Sequence, residues 1–269
     1  RIAAICGGKF SGCDSEVRSV VTDSRSLSCE LGCRPMFVAM RGANHDSHDF
    51  IAGMQSRGVR AFLVERGVEA SSCTGECGFV QVDNAIEALQ RLAAYHRAQF
   101  RGTVVGITGS NGKTVIKEWI AEELPEGMKY YRSPKSYNSQ LGVPLSVLML
   151  EGDEELAIFE AGISKPGEME RLERIIRPDA VIFTSIGDAH QENFINLEQK
   201  CDEKMILARS ASKIIYHSYY EPLGRMVAAH FADRRPVDAA AYPEVPESVI
   251  GNAASRRNAQ IVEAFCDAM

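Results

Sequence analysis

The sequence predicts an α/β protein in which a small N-terminal α/β domain precedes a central domain built on a parallel sheet. Three observations lead to this prediction. Short continuous apolar runs, such as residues 156–159 and 180–183, are typical of strands buried on both faces of a parallel sheet. These runs alternate with stretches of helical composition, as they do in βαβ units. A glycine-rich segment, residues 106–114, lies between one such run and one such helical stretch.

Length and composition limit the classes of protein that fit. The chain has 269 residues, enough for one large domain or two of ordinary size. Hydrophobic residues make up 45% and charged residues 25%, the balance of a globular protein. Because no apolar run approaches the ~20 residues that cross a bilayer, we expect no membrane span. The net charge of -6 argues against nucleic-acid binding, although backbone N–H groups can still hold phosphates locally.

Two interpretations of the eight cysteines stay open. The pairs Cys29/Cys33 and Cys73/Cys77 are each four residues apart, whereas zinc ligands usually form tighter pairs with further ligands at set distances. Free thiols in a reducing compartment are the alternative to a zinc site, and that alternative predicts a cytoplasmic protein.

Residues 1–100 are expected to form the first domain. Strand-like runs occupy residues 36–40, 61–64 and 79–82. A helical stretch covers residues 49–58 and ends in a glycine stop signal. Asn84 can cap a second helix that continues to about Gln99 with apolar residues on one face.

Residues 101–269 are expected to form the second domain, with Arg101-Gly102 as the joint. A strand over residues 103–107 precedes the glycine-rich segment, and a helix over residues 115–124 follows it. Towards the end of the chain, composition predicts a helix over 219–232, a loop over 236–246 and a closing helix over 255–269.

The glycine-rich segment, Gly-Ile-Thr-Gly-Ser-Asn-Gly-Lys-Thr, is a variant of the phosphate loop of nucleotide-binding proteins. The strict pattern G-x₄-G-K-[ST] is not met, because five residues separate Gly106 from Gly112. The physics is unchanged, since glycines permit tight turns and N–H groups at a helix N-terminus face the anion. A phosphate is therefore expected to contact Gly109, Ser110, Asn111, Gly112, Lys113 and Thr114. Lys113 can reach the terminal phosphates and the Thr114 hydroxyl can bind Mg²⁺; a glycine-rich turn with an exposed lysine is the alternative.

With three further stretches, this loop makes the chain resemble the Mur ligases, ATP-dependent enzymes of cell-wall synthesis. One stretch resembles their N-terminal domain, which holds the UDP end of the substrate; it comprises residues 21–25, 36–42 and 45–51. The second, residues 133–144, resembles a segment of their central domain. The third comprises residues 159–162, 165–169 and 186–192. The stretches follow the family's order over nearly the whole chain, so the resemblance implies a P-loop ATPase domain after the UDP-binding domain.

The third stretch favours the family step that adds D-Ala-D-Ala to UDP-MurNAc-tripeptide. Residues 133–150 and 185–205 also resemble bifunctional proteins in which this ligase is fused to an alanine racemase. The resemblance implies that the tripeptide carboxylate attacks ATP to give an acyl-phosphate, which the amine of D-Ala-D-Ala then attacks. Family members carry a further C-terminal domain, and we expect this chain to end before it.

Glu160, His190 and Lys204 are the predicted cation-binding and catalytic residues besides the loop. Glu160 ends a buried strand, where ligands collect in parallel sheets, and its carboxylate suits Mg²⁺. The resemblance implies that His190 helps to hold a second Mg²⁺ and that Lys204 is carbamylated by CO₂. The alternatives are a solvated glutamate, a packed histidine and a surface lysine paired with Glu203 or Glu198.

The resemblance also assigns contacts to the substrates. Asn258 is expected to contact the adenine of ATP, and Asn138 to lie in the substrate pocket. Ser24 and Arg25 are expected to contact the UDP part. The alternatives are a solvated helical asparagine, a turn residue before Gly142 and a capped turn.

Three other functions stay open at this point. The chain can belong to another Mur ligase step, to a folylpolyglutamate synthase-like ligase or to a nucleotide-binding module without catalysis. The UDP-binding stretch argues against the second. Glu160 with His190 argues against the third for the intact protein, though not for a fragment of it.

Overall fold

The structure is a computed structural model, and it describes residues 1–27, 34–42, 45–66, 76–187 and 189–269. The chain divides into two compact units, Arg1–Ala98 and Gln99–Met269. Each unit has its own sheet. Three of the four paired cysteines lie outside the described residues, so the zinc-site interpretation concerns a part of the chain that the structure does not describe.

The first unit is built on a sheet with the order β1-β5-β4-β3-β2. β1 runs antiparallel to β5, and the other neighbours pair in parallel. The strands are β1 (Lys9–Gly12), β2 (Ser19–Val21), β3 (Pro35–Val38), β4 (Ala61–Glu65) and β5 (Gly78–Val82). The helices are α1 (Ile2–Cys6), α2 (Ile51–Ser56) and α3 (Ala85–Arg97).

An aromatic core stabilises this first sheet. Phe62 stacks on Phe79 with their ring centroids 5.2 Å apart, and Phe37 meets Phe62 edge-on. The predicted strands at β3, β4 and β5 are confirmed. The predicted cap of α3 is confirmed as well, because the Asn84 side chain accepts a hydrogen bond of 2.9 Å from the Glu87 N–H. The helix expected over 49–58 is α2 preceded by a 3₁₀ turn, Ser47–Phe50.

The second unit is built on an all-parallel sheet with the order β11-β10-β9-β6-β8-β7. The strands are β6 (Thr103–Thr108), β7 (Tyr130–Arg132), β8 (Leu156–Ala161), β9 (Ala180–Phe183), β10 (Lys213–Tyr216) and β11 (Val237–Asp238). The helices are α4 (Lys113–Glu123), α5 (Gly142–Val147), α6 (Glu168–Ile176), α7 (Leu197–Met205), α8 (Leu223–His230) and α9 (Ala253–Ala268).

β6 lies between β8 and β9 at the point where the strand order reverses. From β6 the chain crosses to β7 and β8 on one side and then to β9 and β10 on the other. Every residue of β8 and β9 is buried, as their continuous apolar runs predict. Ligands of open parallel sheets bind outside the carboxyl ends of the strands at such a reversal. This places the glycine-rich segment, whose first three residues are the last of β6, where a ligand is expected.

Two predictions near the end of the chain were wrong in their extent. The helix expected over 219–232 begins only at Leu223, since the residue before Pro222 is disfavoured in helical conformation. The loop expected over 236–246 contains β11, which pairs with β10 as an edge strand. A strand of two half-buried residues leaves no periodic signal in the sequence.

The expected lack of a membrane span agrees with the described residues. Among them, every helix is too short or too polar to cross a bilayer.

Candidate nucleotide-binding site

The glycine-rich loop joins β6 to α4 and depends on two unusual backbone conformations. Gly109 has a φ of +151°, and a Cβ at this position would lie 1.8 Å from Thr184 Oγ1. Gly112 has a φ of +87° and is the N-cap of α4. Glycine adopts both conformations without steric penalty, which other residues do not. The two glycines thus fix the path of the chain into the helix.

Hydrogen bonds hold this loop against the segment that follows β9. The Ser110 N–H donates to the Ser185 carbonyl at 2.7 Å, and Thr184 Oγ1 donates to the Asn111 carbonyl at 2.6 Å. Ser110 Oγ accepts from the Gly187 N–H at 3.0 Å. The N–H groups of the first turn of α4 have no intrahelical acceptor and carry the positive end of the helix dipole. The start of α4 therefore presents N–H groups and a helix dipole of the kind that binds phosphate.

Lys113 folds back over the loop. Its Nζ donates to the Gly109 carbonyl at 2.8 Å and to the Ser110 carbonyl at 3.3 Å. Burial lowers the pKa of Lys113, and the Glu160 carboxylate partly offsets this effect. The predicted exposed-lysine alternative does not describe this side chain, which is a half-buried cation at the mouth of the loop.

Thr114, Glu160 and Asn138 meet beside the loop. Thr114 Oγ1 donates to Glu160 Oε2 at 3.1 Å, and Asn138 Nδ2 lies 3.4 Å from the same oxygen. Glu160 is fully buried. A hydroxyl and a carboxylate oxygen in contact are ligands that Mg²⁺ prefers, so this donor set fits the cation. No group of three or more histidine, cysteine or acidic side chains suited to a metal occurs among the described residues. A cation here would complete its shell with phosphate oxygens and water.

Lys117 belongs to the same cluster and was missed from the sequence. Its side chain is fully buried, and its Nζ lies 2.9 Å from Glu160 Oε1 in an ion pair that is not aligned as a hydrogen bond. The ammonium also donates to the carbonyls of Ser133 at 2.7 Å and Lys135 at 2.6 Å. The available signal was its position four residues after Lys113, on the same face of α4.

Lys204 is buried, so the surface-lysine alternative is wrong. Its Nζ donates to the Gly109 carbonyl at 3.1 Å from α7, which brings it to the glycine-rich loop. Burial, together with the charges of Lys113 and Lys200, lowers the pKa of Lys204 to about 7. Lys200, one turn earlier on α7, is also buried and donates to the Gly187 carbonyl at 2.7 Å.

Asn258 lies at the loop, whereas the structure does not connect His190 to it. Asn258 is buried on α9, and a Cβ on Gly112 would lie 3.1 Å from its Oδ1. His190 is exposed, with a φ of +59°. Within the described residues its ring forms no hydrogen bond with another predicted site residue. The neighbouring Asp188 lies outside the described residues, and the role of His190 stays a prediction.

Ser24 and Arg25 lie in the first unit, in a 3₁₀ turn capped by Asp23. The Asp23 carboxylate accepts from the Arg25 N–H at 2.9 Å and forms an ion pair of 2.9 Å with its guanidinium. These contacts with Arg25 lower the pKa of Asp23 to about 2. The capped turn is therefore present, and the expected contact with UDP stays a prediction.

Known proteins resemble this chain in sequence. The family described as Mur ligase middle domain matches residues 107–233. UDP-N-acetylmuramoyl-tripeptide--D-alanyl-D-alanine ligase of Bacillus subtilis is 31% identical over 70% of this chain and 40% of its own length. The enzyme of the same name from Borreliella burgdorferi is 34% identical over 73% of this chain and 44% of its own length. The chain thus spans less than half the length of these two relatives.

Solved structures resemble it in fold. A crystal structure of MurF from Acinetobacter baumannii matches 98% of this chain and 63% of the MurF chain, with a TM-score of 0.81. The two sequences are 23% identical, so this match shows a likeness of fold alone. MurF ligase from Thermotoga maritima, solved in complex with ADP, matches 82% of this chain and 50% of its own with a TM-score of 0.70 at 28% identity. Residues 107–233 are a Mur ligase middle domain.

Proposed function

We propose that this chain forms the substrate-binding and ATP-binding part of a ligase that adds D-Ala-D-Ala to UDP-MurNAc-tripeptide in peptidoglycan synthesis. The names of the relatives supply the reaction. The observation that carries the proposal is the contact of Thr114 with Glu160 beside a phosphate loop of the required backbone shape.

ATP is proposed to bind with its phosphates on the loop and its adenine towards Asn258. The N–H groups at the start of α4 and the Lys113 ammonium supply the attraction for the triphosphate. Asn258 lies beside Gly112, so an amide that can hydrogen-bond a base is present at the loop itself. The ADP in the Thermotoga maritima structure supports an adenine nucleotide as the ligand.

Thr114 and Glu160 are the residues that would hold Mg²⁺, with His190 proposed for a second ion. When bound, the ion supplies charge neutralisation on the phosphate oxygens. Asn138 lies in the segment after β7 and donates a hydrogen bond to Glu160 Oε2. It is therefore placed to orient this carboxylate, and we propose that it also lines a substrate pocket.

The proposed chemistry has two steps. A carboxylate oxygen of the tripeptide attacks the γ-phosphorus of ATP, which forms an acyl-phosphate and releases ADP. The amine of D-Ala-D-Ala then attacks the acyl carbon, forms the amide bond, loses a proton and releases inorganic phosphate. Lys113 and the loop N–H groups stabilise the negative charge that develops on the transferred phosphoryl group.

Lys204 is proposed to be carbamylated. With a pKa of about 7, much of this amine is neutral near physiological pH, which is the form that attacks CO₂. The nitrogen bonds to the carbon of CO₂ and a proton leaves, which converts a buried cation into an anion. The ¹³C NMR spectrum of protein equilibrated with ¹³C-bicarbonate is expected to show a carbamate signal that is absent from Lys204→Arg.

The first unit is proposed to bind the UDP end of the substrate through Ser24 and Arg25. We accordingly propose residues 1–100 as the UDP-substrate domain and residues 101–269 as the ATP-binding domain. The free thiols of Cys6, Cys77 and Cys201 are buried. These reduced side chains fit a cytoplasmic protein.

Phosphate release by the full-length gene product tests this function. We expect release only when ATP, Mg²⁺, UDP-MurNAc-tripeptide and D-Ala-D-Ala are all present. Release that requires a folate and glutamate in place of the last two would favour the folylpolyglutamate synthase-like alternative. ATP binding without release under any of these conditions would favour the module without catalysis.

A further inference from the structure

We propose that Lys117 is a positioning residue that neutralises Glu160 and thereby makes binding of a divalent cation depend on the nucleotide. The inference deepens the proposed function and rests on it, because it concerns the cation site of Thr114 and Glu160. It assigns a role to a fully buried lysine whose hydrogen bonds go to the segment after β7 and not to the glycine-rich loop.

The contacts of Lys117 fix three parts of the site to one another. The lysine itself lies on α4, three residues after Thr114. Its ammonium is paired with Glu160 Oε1 on β8 and bonded to the carbonyls of Ser133 and Lys135, which follow β7. The segment after β7 continues to Asn138, whose amide bonds the other oxygen of Glu160. The carboxylate is thus held with Oε1 towards Lys117 and Oε2 towards Thr114.

Because both side chains are buried, the net charge of the Lys117–Glu160 pair determines how strongly the site attracts a cation. Both side chains are 0% exposed, so water screens neither the carboxylate nor the ammonium. The pair is neutral as a whole. Lys117 Nζ also lies 3.4 Å from Glu118 Oε1, but that carboxylate is partly exposed and is itself paired with Arg132 at 3.1 Å, so the four charges sum to zero. A free cation approaching Glu160 Oε2 therefore meets a carboxylate whose charge is already balanced. The described residues supply no cluster of three acidic or histidine ligands to compensate.

The missing negative charge is what a triphosphate brings. Phosphates bound to the loop would lie next to Thr114 and would give the cation both oxygen ligands and negative charge. The neutral protein site is therefore expected to bind the cation tightly when the nucleotide is bound and weakly when it is not.

Mn²⁺ binding measured by electron paramagnetic resonance tests the inference on the full chain. We expect the unmodified protein to bind Mn²⁺ about tenfold or more tightly with ATP than without. In Lys117→Met, the Glu160 carboxylate loses its ion-pair partner, and the affinity for Mn²⁺ without nucleotide is expected to rise about tenfold or more. The difference between the Mn²⁺ affinities with and without ATP is then smaller. Lys129→Met, which removes an exposed lysine paired with Asp153, is the matched control and is expected to change neither affinity.

The outcomes separate this inference from the proposed function. Failure of the unmodified protein to bind ATP or Mn²⁺ with ATP would sink the proposed function. Mn²⁺ binding that is as tight without ATP as with it would overturn the role of Lys117 in the unmodified protein, whatever the variants do. Unchanged nucleotide-free affinity in a folded Lys117→Met protein would overturn it as well. Lys117→Gln, which keeps a donor for the carbonyls, provides the same test if Lys117→Met does not fold.

Discussion

Gly109 is the residue on which the shape of the loop depends most directly. With a φ of +151°, it leaves no room for a side chain, because an added Cβ would lie 1.8 Å from Thr184 Oγ1. Gly109→Ala must therefore push the loop away from β9 or distort its backbone. We expect ATP affinity to fall about tenfold or more, or about 1.4 kcal/mol, in a calorimetric titration.

Gly251→Ala is the control for that substitution. A Cβ at Gly251 meets open space, and its φ lies outside the left-handed region. ATP affinity is expected to stay at the level of the unmodified protein. Equal affinity of Gly109→Ala and Gly251→Ala would show that the loop does not need its backbone shape to bind the nucleotide.

Lys204 predicts how stability depends on pH. Its pKa is lowered from 10.5 to about 7 on folding, so between these values the unfolded chain binds a proton that the folded chain lacks. The contribution of Lys204 to the free energy of unfolding is therefore highest above pH 10.5. It falls as the pH falls and reaches its minimum near pH 7. Urea unfolding in CO₂-free buffer between about pH 7 and pH 9 should show stability that rises with pH.

Lys204→Met removes the titrating group and is expected to flatten this rise. The two proteins are compared at each pH, so that the titration of all other groups cancels. Identical slopes for the two proteins would contradict a lowered pKa at Lys204.

The sequence predicted individual site residues unequally. Lys113, Thr114 and Glu160 were predicted because a phosphate loop and the end of a buried strand are local patterns, and the structure brings these residues together. Lys117 was missed because a buried lysine on a helix looks like a solvated one until its partner is known. That partner, Glu160, is far away in the sequence and adjacent only through the sheet.

At the scale of elements, apolar content decides what can be predicted. β8 and β9 are continuous apolar runs and were predicted from the sequence, since burial on both faces requires such runs. β1 is exposed along its whole length and β11 has two residues, so neither carries a hydrophobic pattern. Their positions follow from pairing with β5 and β10, which is tertiary information.

The cap of α9 gives a prediction at this scale. The Asn252 side chain accepts from the N–H groups of Ala254 at 2.9 Å and Ser255 at 3.1 Å. Asn252→Ala leaves these donors without that acceptor and is expected to lower the free energy of unfolding by about 1 kcal/mol. Urea unfolding measures this loss, and Asn252→Asp should largely restore stability. A change within error for Asn252→Ala would contradict the importance of the cap.

At the scale of the whole molecule, the sequence predicted two α/β domains, and the structure divides into two compact units near residue 98. The structure describes the site residues of each unit within that unit and without a ligand. The roles of the units as UDP-binding and ATP-binding domains therefore stay predictions. The family match covers residues 107–233, which contain the glycine-rich loop from Ile107 onwards, Glu160 and Lys204. The family match therefore lies wholly within the second unit.

A calorimetric titration of ATP with Mg²⁺ into the unmodified protein and into Lys113→Ala tests the central claim that the loop grips the triphosphate. Lys129→Ala serves as the control, because its exposed ammonium is paired with Asp153 away from the loop. We predict that the unmodified protein and the control bind equally and that Lys113→Ala binds about tenfold or more weakly. Undiminished affinity of Lys113→Ala for ATP would contradict the claim.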